Sequence, residues 1–321
     1  MTIVQAASYL RTLDNVYILT HLKPDGDTLG SAAGLCAALR ALGKKAYILP
    51  NPDITPRLLP YIKPYLSASQ EADPVYVAVD TASPALLPQA YRAFSVALVI
   101  DHHPTNSGYA THNCVCSQAA ATGEVVFAIL QALGVAITPE VALPLYLAIA
   151  TDTGCFRYAN TTAQSHRVAA QLMETDIDAT KVNKEMFGIK SRARLKLEGL
   201  LLSRMQVFLE ERVCVLILTQ DIVRQTDATE DDLDNLSELT RVIEGVEIGM
   251  LVKETETGGC KVSIRTCAPW DASALCACFG GGGHARAGGC TMDQSPDQAV
   301  DRLVSAIDGH MRRADAVAEV L

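Results

Sequence analysis

The sequence predicts an α/β protein in two parts: an N-terminal, mostly parallel sheet with helices on both faces, and a smaller C-terminal α+β domain. Through the first half of the chain, short apolar stretches rich in β-branched residues alternate with longer stretches rich in Ala and Leu. This alternation is the pattern of a parallel sheet covered by helices. After a long charged stretch, strand-like segments follow one another directly, as they do in hairpins.

Each element of the first part has a local signal. Strands are predicted where short apolar runs end abruptly, and helices where longer runs stop at a glycine such as Gly43 or Gly134. The last of these helices holds Pro144 within its first turns. The predicted strands cover residues 15–20, 45–49, 74–79 and 96–100, and the predicted helices cover residues 28–42, 123–133 and 139–151.

The second part begins after residues 165–205, which are predicted to be helical throughout because charged and apolar residues interleave there. We interpret this stretch as the last helices of the first domain followed by a connecting helix. Two hairpins are then predicted, pairing residues 205–209 with 213–218 and residues 247–254 with 260–266. Helices are predicted over residues 229–239 and 296–310. These patterns predict an N-terminal domain over residues 1–190, a connecting helix over residues 191–204 and a C-terminal domain over residues 205–321.

Composition narrows the classes of function. Hydrophobic residues make up 49% of the 321 residues, so both parts can form packed cores. The net charge of −9 and the low aromatic content argue against binding of long nucleic acid and favour a small anionic substrate. The ten cysteines lack zinc-finger spacing, which indicates reduced thiols and a cytoplasmic location. No signal peptide or membrane-spanning run is expected.

Metal-type ligands follow the ends of the predicted strands and of one helix. In an open parallel sheet, ligands bind at the carboxyl ends of the strands, so we expect these side chains to meet there. Carboxylates combined with imidazoles suit Mn²⁺, and Mg²⁺ less well. A site for two ions needs a bridging carboxylate, and Asp80 stands alone at the end of its strand. The candidate ligands and their neighbours are His21, Asp25, Asp27, Asp80, Asp101, His102, His103 and Asp152.

A glycine-rich motif marks the second part. Consecutive glycines let backbone N–H groups approach a phosphate closely, and neighbouring cationic side chains strengthen such a site. Arg265, at the end of a predicted strand, adds a guanidinium suited to bidentate phosphate contact. The candidate substrate-binding residues are therefore Arg265, Gly281, Gly282, Gly283, His284 and Arg286.

These motifs together resemble the Asp-His-His (DHH) phosphoesterase superfamily with a C-terminal DHHA1 domain, and within it the nano-RNase/pAp phosphatase group. The motifs stand in the family's order along nearly the whole chain. They are His21-x-x-Pro24-Asp25-x-Asp27, Val79-Asp80, Asp101-His102-His103, Thr151-Asp152-Thr153-Gly154 and Gly281-Gly282-Gly283-His284. One stretch departs from the family pattern, residues 114–124, although its last three residues remain and are predicted to cap a helix.

The resemblance implies a role for each motif. One Mn²⁺ would be held by His21, Asp25 and Asp80, and the other by Asp27, Asp80, His102 and Asp152. His103 would face the scissile phosphate, and Asp101 would orient the imidazoles. Arg265, His284, Arg286 and the glycines would bind the rest of the nucleotide. The implied activity is hydrolysis of short RNA oligomers to mononucleotides, together with phosphatase activity on pAp.

Other functions stay open at this point. A phosphodiesterase for cyclic or linear dinucleotides such as c-di-AMP is the second enzyme hypothesis, and a non-catalytic nucleotide-binding protein is the hypothesis from another class. The glycine-rich motif argues against a manganese inorganic pyrophosphatase. The length and negative charge argue against a long-strand exonuclease of the RecJ type. A homodimer is compatible with the sequence.

Overall fold

A computed structural model of the protein describes residues 1–69, 71–233, 235–256 and 258–318. The chain divides into two compact units, Met1–Ile189 and Lys190–Leu321. The first unit contains a parallel sheet with helices, and the second a mixed sheet with helices, so the predicted fold class is confirmed. Among the described residues, no helix has both the length and the apolar character that a bilayer crossing requires.

The first unit is built on five parallel strands. They are β1 (Val16–Leu19), β2 (Ala46–Ile48), β3 (Val75–Val79), β4 (Val96–Asp101) and β5 (His112–Val115). They lie in the order β2-β1-β3-β4-β5. The α-helices of this unit are α1 (Ile3–Thr12), α2 (Gly26–Ala41), α3 (Leu59–Ile62), α4 (Thr122–Leu133), α5 (Pro139–Asp152), α6 (Ala163–Met173) and α7 (Ala179–Asn183).

Strand β1 is buried on both faces of the sheet. Val16 and Ile18 enter the large core that the α-helices share, whereas Tyr17 and Leu19 enter a smaller core on the opposite face. All four side chains are fully buried. A strand between two cores needs an unbroken apolar run, which explains why its sequence does not alternate. Two short 3₁₀ turns between β3 and β4 lie beside the smaller core.

Helix α2 packs against α5 so closely that glycines of α2 contact the backbone and side chains of α5. A Cβ atom added to Gly30 would lie 2.3 Å from the carbonyl oxygen of Pro144, and one added to Gly26 would lie 2.4 Å from the side chain of Thr151. Only a residue without a Cβ atom permits this approach. Because α2 begins at Gly26 and α5 ends at Asp152, the contact brings the start of one helix beside the end of the other.

The second unit is built on a six-stranded sheet. Its strands are β6 (Gln206–Phe208), β7 (Val213–Leu218), β8 (Ile248–Glu254), β9 (Cys260–Thr266), β10 (Gly282–His284) and β11 (Ala287–Met292). They lie in the order β10-β11-β9-β8-β7-β6, with β7 and β8 parallel and the other pairs antiparallel. Its α-helices are α8 (Arg192–Ser203), α9 (Gln220–Thr226), α10 (Glu230–Leu233), α11 (Ala272–Ala277) and α12 (Pro296–Ala318).

Helices cover both faces of this second sheet. Helix α12 places Ala299, Leu303 and Ile307 in one core, at the four-residue spacing of a helix face. Helix α8 places Leu197 and Leu201 in the other core, at the same spacing. Strands β7 and β8 are therefore mostly buried on both sides, whereas β9 and β11 leave one face partly exposed.

The stretch over residues 165–205, predicted to be helical throughout, consists of separate helices with breaks between them. Helix α6 ends at Met173, and Asp176 has a left-handed backbone with φ of 66°. Helices α7 and α8 then start separately, because Asp178 and Ser191 each accept a backbone N–H of the following turn. These residue types favour helix starts, so each of them interrupts the apolar and charged pattern that looks continuous in the sequence.

The predicted helix over residues 229–239 is also only partly correct. It consists of α10 and a 3₁₀ turn, Leu236–Arg241, and residue 234 lies outside the described residues. Several further elements have no strong sequence signal, namely α1, α9, α11, β5, β10 and β11. Strand β5 is largely polar and β11 contains two glycines, so their pairing with β4 and β9 defines them.

Two Gly→Ala substitutions should have opposite effects on stability. Gly30→Ala should lower the free energy of unfolding by about 1–3 kcal/mol, because the new methyl group collides with the α5 backbone. Gly199→Ala should raise it by about 0.5–1 kcal/mol, because this exposed position inside α8 has no atom within 4 Å of an added Cβ. Urea denaturation followed by circular dichroism measures both. Equal destabilisation by the two substitutions would contradict the packing described for α2.

Candidate metal centre

The carboxyl ends of the first sheet carry the predicted ligands. His21 follows β1, Asp80 follows β3 directly, and Asp101 is the last residue of β4, with His102 and His103 next in the chain. The close contact of α2 with α5 adds three carboxylates from helix ends, those of Asp25, Asp27 and Asp152. Parallel strands bring their carboxyl ends to the same edge of a sheet, which explains why segments distant in sequence meet here.

The first ligand group consists of His21, Asp25 and Asp80. The Nε2 atom of His21 lies 3.6 Å from Oδ1 of Asp25 and 3.5 Å from Oδ2 of Asp80. The Nδ1 atom of His21 lies 2.7 Å from the carbonyl oxygen of Leu22. Because a carbonyl can only accept, Nδ1 carries a proton and Nε2 is the atom turned towards the carboxylates.

The second ligand group consists of Asp27, His102 and Asp152. The Nε2 atom of His102 lies 3.8 Å from Oδ2 of Asp27 and 3.6 Å from Oδ2 of Asp152. It also lies 3.6 Å from Oδ1 of Asp80. Its Nδ1 atom faces the carbonyl oxygen of Ala119 at 3.2 Å, which orients the ring.

Asp80 therefore presents one carboxylate oxygen to each ligand group. Its backbone is left-handed, with φ of 52°, a conformation that Asp tolerates better than most residues. Its Oδ1 atom also accepts a hydrogen bond of 2.8 Å from the hydroxyl of Thr122. With an exposed fraction of only 3%, its carboxylate is held between the two groups by the surrounding protein.

Several acidic groups lie close together here, which is electrostatically costly. Burial and the neighbouring carboxylates of Asp80 and Asp152 raise the pKa of Asp27 well above its ordinary value. The pKa of Asp152 is raised to about 6, and burial is the largest cause. Burial opposes the charged form of His21, but the neighbouring Asp25 and Asp80 outweigh it and raise the pKa of His21 to about 10. The buried carboxylates need neighbouring cations to stabilise their negative charges.

The buried Asp27 carboxylate also caps helix α4. Its two oxygens accept the backbone N–H groups of Thr122 and Gly123 at 2.7 and 3.0 Å, and the hydroxyl of Ser31 at 3.0 Å. The positive end of the α4 dipole thus faces a negative side chain. The sequence predicts that residues 122–124 cap this helix themselves. Instead, the N-cap residue Ala121 makes no side-chain hydrogen bond, and the distant Asp27 supplies the acceptor.

Asp101 organises the Asp-His-His motif without belonging to either ligand group. It is fully buried, and its Oδ1 atom accepts the backbone N–H groups of His102 and His103 and the Nδ1–H of His103 at 2.8 Å. Burial disfavours the charged form of Asp101, but hydrogen bonds from His103 and Asn106 outweigh it and lower the pKa of this carboxyl. The same bond to Asp101 raises the pKa of His103, whose side chain is 38% exposed.

Three asparagines support the ligand loops, and sequence reasoning did not single them out. The side-chain amide of each donates two hydrogen bonds, at least one of them to a candidate residue. Asn51 bonds to Thr20 and His21, Asn106 to Thr81 and Asp101, and Asn160 to Ala120 and Asp152. Asparagine is common in ordinary loops, so only the three-dimensional contacts distinguish these three.

The candidate substrate-binding glycines of the second unit form part of a strand. Gly282 and Gly283 lie in β10, paired with Gly289 and Gly288 of β11. A Cβ atom added to Gly281 would lie 2.2 Å from the carbonyl oxygen of Gly289, so this backbone approach requires glycine. The glycine-rich motif is therefore an ordered segment that packs closely against β11.

Of the candidate cationic residues of the second unit, Arg265 and His284 lie in one row of the sheet, whereas Arg286 lies in a turn. Arg265 pairs across the sheet with Ala287, and Ala287 pairs with His284, so Arg265 and His284 lie in one row about 10 Å apart on one face. The Nε atom of Arg265 lies 3.3 Å from a carboxylate oxygen of Glu238. Arg286 lies in the exposed turn between β10 and β11 and donates a hydrogen bond of 2.6 Å to the carbonyl oxygen of Trp270.

Binding of a divalent ion to the first ligand group should release a proton. His21, with a pKa of about 10, is protonated at neutral pH, whereas an imidazole that ligates a metal must be neutral. The apparent affinity for Mn²⁺ should therefore rise with pH between about 6 and 9, by roughly tenfold per unit for each proton released. Calorimetric titration in two buffers of different ionisation enthalpy counts these protons.

The matched variants for this titration are His21→Gln and His310→Gln. The first should bind Mn²⁺ more weakly and release fewer protons. The second removes an imidazole from α12 in the other unit and should leave both quantities unchanged. An affinity that does not vary with pH in the unsubstituted protein would contradict the protonated state of His21.

Comparison with known proteins identifies the family. Residues 15–149 match the DHH family N-terminal domain, and residues 210–313 match the DHHA1 domain. The bifunctional oligoribonuclease and PAP phosphatase NrnA of Thermus thermophilus is 33% identical over 302 residues, which cover 93% of this chain and 91% of that protein. The protein of the same name in Bacillus subtilis is 24% identical, covering 92% of this chain and 94% of its own length.

The fold also recurs in a solved structure. An exopolyphosphatase-related protein from Bacteroides fragilis superposes with a TM-score of 0.85 at 23% identity, covering 96% of each chain. The family resemblance expected from the motifs is thus confirmed by sequence comparison over almost the whole length. The chain belongs to the DHH family, with a DHHA1 domain following its DHH domain.

Proposed function

We propose that this protein is a manganese-dependent phosphodiesterase that degrades short RNA oligomers to mononucleotides and also removes phosphate from pAp. The observation that carries the proposal is Asp80, whose two carboxylate oxygens face two separate groups of histidine and aspartate ligands. The full-length similarity to proteins named bifunctional oligoribonuclease and PAP phosphatase supports the choice of substrate.

The donor set fits two divalent ions. It contains carboxylate oxygens and imidazole nitrogens and no thiolate, a combination that suits Mn²⁺ and, less well, Mg²⁺. Burial, together with neighbouring carboxylates, raises the pKa values of Asp27 and Asp152, and bound cations would stabilise their charged forms. We assign His21, Asp25 and Asp80 to one ion, and Asp27, Asp80, His102 and Asp152 to the other. Bound ions would polarise the phosphoryl oxygens and lower the pKa of an attacking water.

His103 is the proposed contact to the scissile phosphate. Its Nδ1–H is held by Asp101, and this bond raises the pKa of His103, which favours the ring form in which Nε2 also carries a proton. The side chain is partly exposed, so Nε2–H can donate to a phosphate oxygen and then to the leaving oxygen as charge develops there. Asp101 remains the acceptor that orients the ring throughout.

We propose that the second unit binds the remainder of the nucleotide. Arg265 and His284 lie in one row of its sheet, and the tightly packed strand of Gly281, Gly282 and Gly283 leads to His284. Arg286 lies at the adjacent turn with an exposed side chain. A phosphate can accept hydrogen bonds from such guanidinium and imidazole groups. The overall charge of −9 favours a short substrate over a long strand.

We place the reaction in the cytoplasm. All ten cysteines are free, which suits a reducing compartment, and short RNA and pAp are the substrates named for the relatives. The homodimer stays a prediction.

One chromatographic assay tests the substrate. The protein with Mn²⁺ is offered a diribonucleotide, pAp, c-di-AMP and pyrophosphate in the same tube. We expect prompt consumption of the diribonucleotide and slower loss of pAp. If c-di-AMP disappears first, the function is turnover of a cyclic dinucleotide. If nothing is consumed although calorimetry detects bound metal, the protein is a non-catalytic nucleotide binder, and the proposal fails.

Two substitutions test the shared carboxylate and its partner. Asp80→Ala and His102→Ala should each lower turnover of the diribonucleotide by more than about 100-fold, because each removes a proposed metal ligand. His112→Ala, on β5 and outside both ligand groups, is the matched control and should retain activity. Thermal denaturation establishes that all three proteins fold. Retained turnover in both site variants would refute the assignment.

A further inference from the structure

We infer that Asn106 is a positioning residue that fixes the carboxylate of Asp101 and, through it, the ring of His103. The inference rests on the proposed function, in which His103 contacts the scissile phosphate. It adds a residue that none of the sequence motifs contains, five positions after Asp101 in the loop that follows β4.

Asp101 is the residue through which Asn106 acts. This side chain is fully buried, and its Oδ1 atom is already used by two backbone N–H groups and by Nδ1–H of His103. Its Oδ2 atom accepts from Nδ2 of Asn106 at 2.6 Å. Among the described residues, no other hydrogen bond to this oxygen is present. A buried carboxylate oxygen needs a donor, so Asn106 holds the carboxylate plane in place.

Asn106 is itself held firmly. Its Oδ1 atom accepts the backbone N–H of Gly108 at 2.8 Å, and its own backbone N–H donates to the carbonyl oxygen of His103 at 3.1 Å. Because the N–H of Gly108 can only donate, Oδ1 must face it and Nδ2 must face Asp101. The amide also reaches the carbonyl oxygen of Thr81, next to the shared Asp80, at 3.3 Å.

Loss of the amide has a defined consequence. Oδ2 of Asp101 would lose its donor in a buried site, and the carboxylate would turn towards another donor. Nδ1–H of His103 would then lose its fixed acceptor, so the ring could rotate away from the substrate phosphate. The two ligand groups of His21, Asp25 and Asp80 and of Asp27, His102 and Asp152 would keep their contacts, because Asn106 bonds to none of these side chains.

This contact distinguishes Asn106 from the other two supporting asparagines. Asn51 donates to a hydroxyl and a carbonyl, and Asn160 donates to two carbonyls, so both hold loops together. Asn106 instead donates to a carboxylate that bonds directly to His103. We therefore expect its loss to affect the chemical step more than metal binding.

The kinetic test compares Asn106→Ala and Asn106→Asp with the control Asn113→Ala. The amide of Asn113 makes two comparable bonds, both to Ala110, and touches no candidate ligand. Both Asn106 variants should lower kcat for the diribonucleotide by about 10–100-fold, with KM and the affinity for Mn²⁺ changed less than about twofold. An unchanged kcat overturns the inference. A parallel loss of Mn²⁺ affinity also overturns it, because Asn106 would then support the metal site as a whole.

Nuclear magnetic resonance provides a readout that does not depend on turnover. In the full-length, metal-free protein with ¹⁵N-labelled histidine, the Nδ1 proton of His103 should be protected from exchange with water. Asn106→Ala should accelerate this exchange by about tenfold or more, whereas Asn113→Ala should not. Unchanged exchange in Asn106→Ala overturns the inference. If the unsubstituted protein fails to consume the diribonucleotide, the proposed function fails, and the exchange measurement still decides the role of Asn106.

Discussion

The close packing of α2 on α5 is the contact on which the candidate metal centre depends. Backbone meets backbone at Gly30 and Pro144, and Gly26 lies against Thr151. This places the first turn of α2, with Asp25 and Asp27, beside the last turn of α5, with Asp152. A side chain at either glycine would separate the two helices, and the carboxylates of the second ligand group would no longer meet around His102.

The same contact creates an electrostatic problem that the surrounding residues partly solve. Asp27 and Asp80 are almost completely buried near other carboxylates, which raises the pKa of Asp27. Backbone N–H groups at the start of α4 and the hydroxyl of Thr122 stabilise their charge through hydrogen bonds. The imidazoles of His21 and His102 face the remaining oxygens. Two divalent ions would complete this compensation, and they fit the oxygen and nitrogen donors present.

Under the proposed function, the two units would supply different chemistry. The first unit concentrates carboxylates and imidazoles at one edge of a parallel sheet, the usual place for a site in such folds. The second unit offers a guanidinium, an imidazole and a strand of glycines, which are groups that recognise phosphate. Asparagines of the first unit connect the ligand loops through side-chain amides, and one of them, Asn106, acts on the proposed phosphate contact His103 through Asp101.

The sequence by itself determined the α/β class, the strands β1, β3 and β4, and the candidate residues at their ends, because apolar runs and abrupt ends are local features. Tertiary structure decided everything that depends on residues distant in sequence. It defined β5 and β11 by their pairing, and it made Asp27 the cap of α4, 95 residues further along the chain. It also gave Asn106 its contact with Asp101, because an asparagine in a loop acquires a role only from what the fold places beside it.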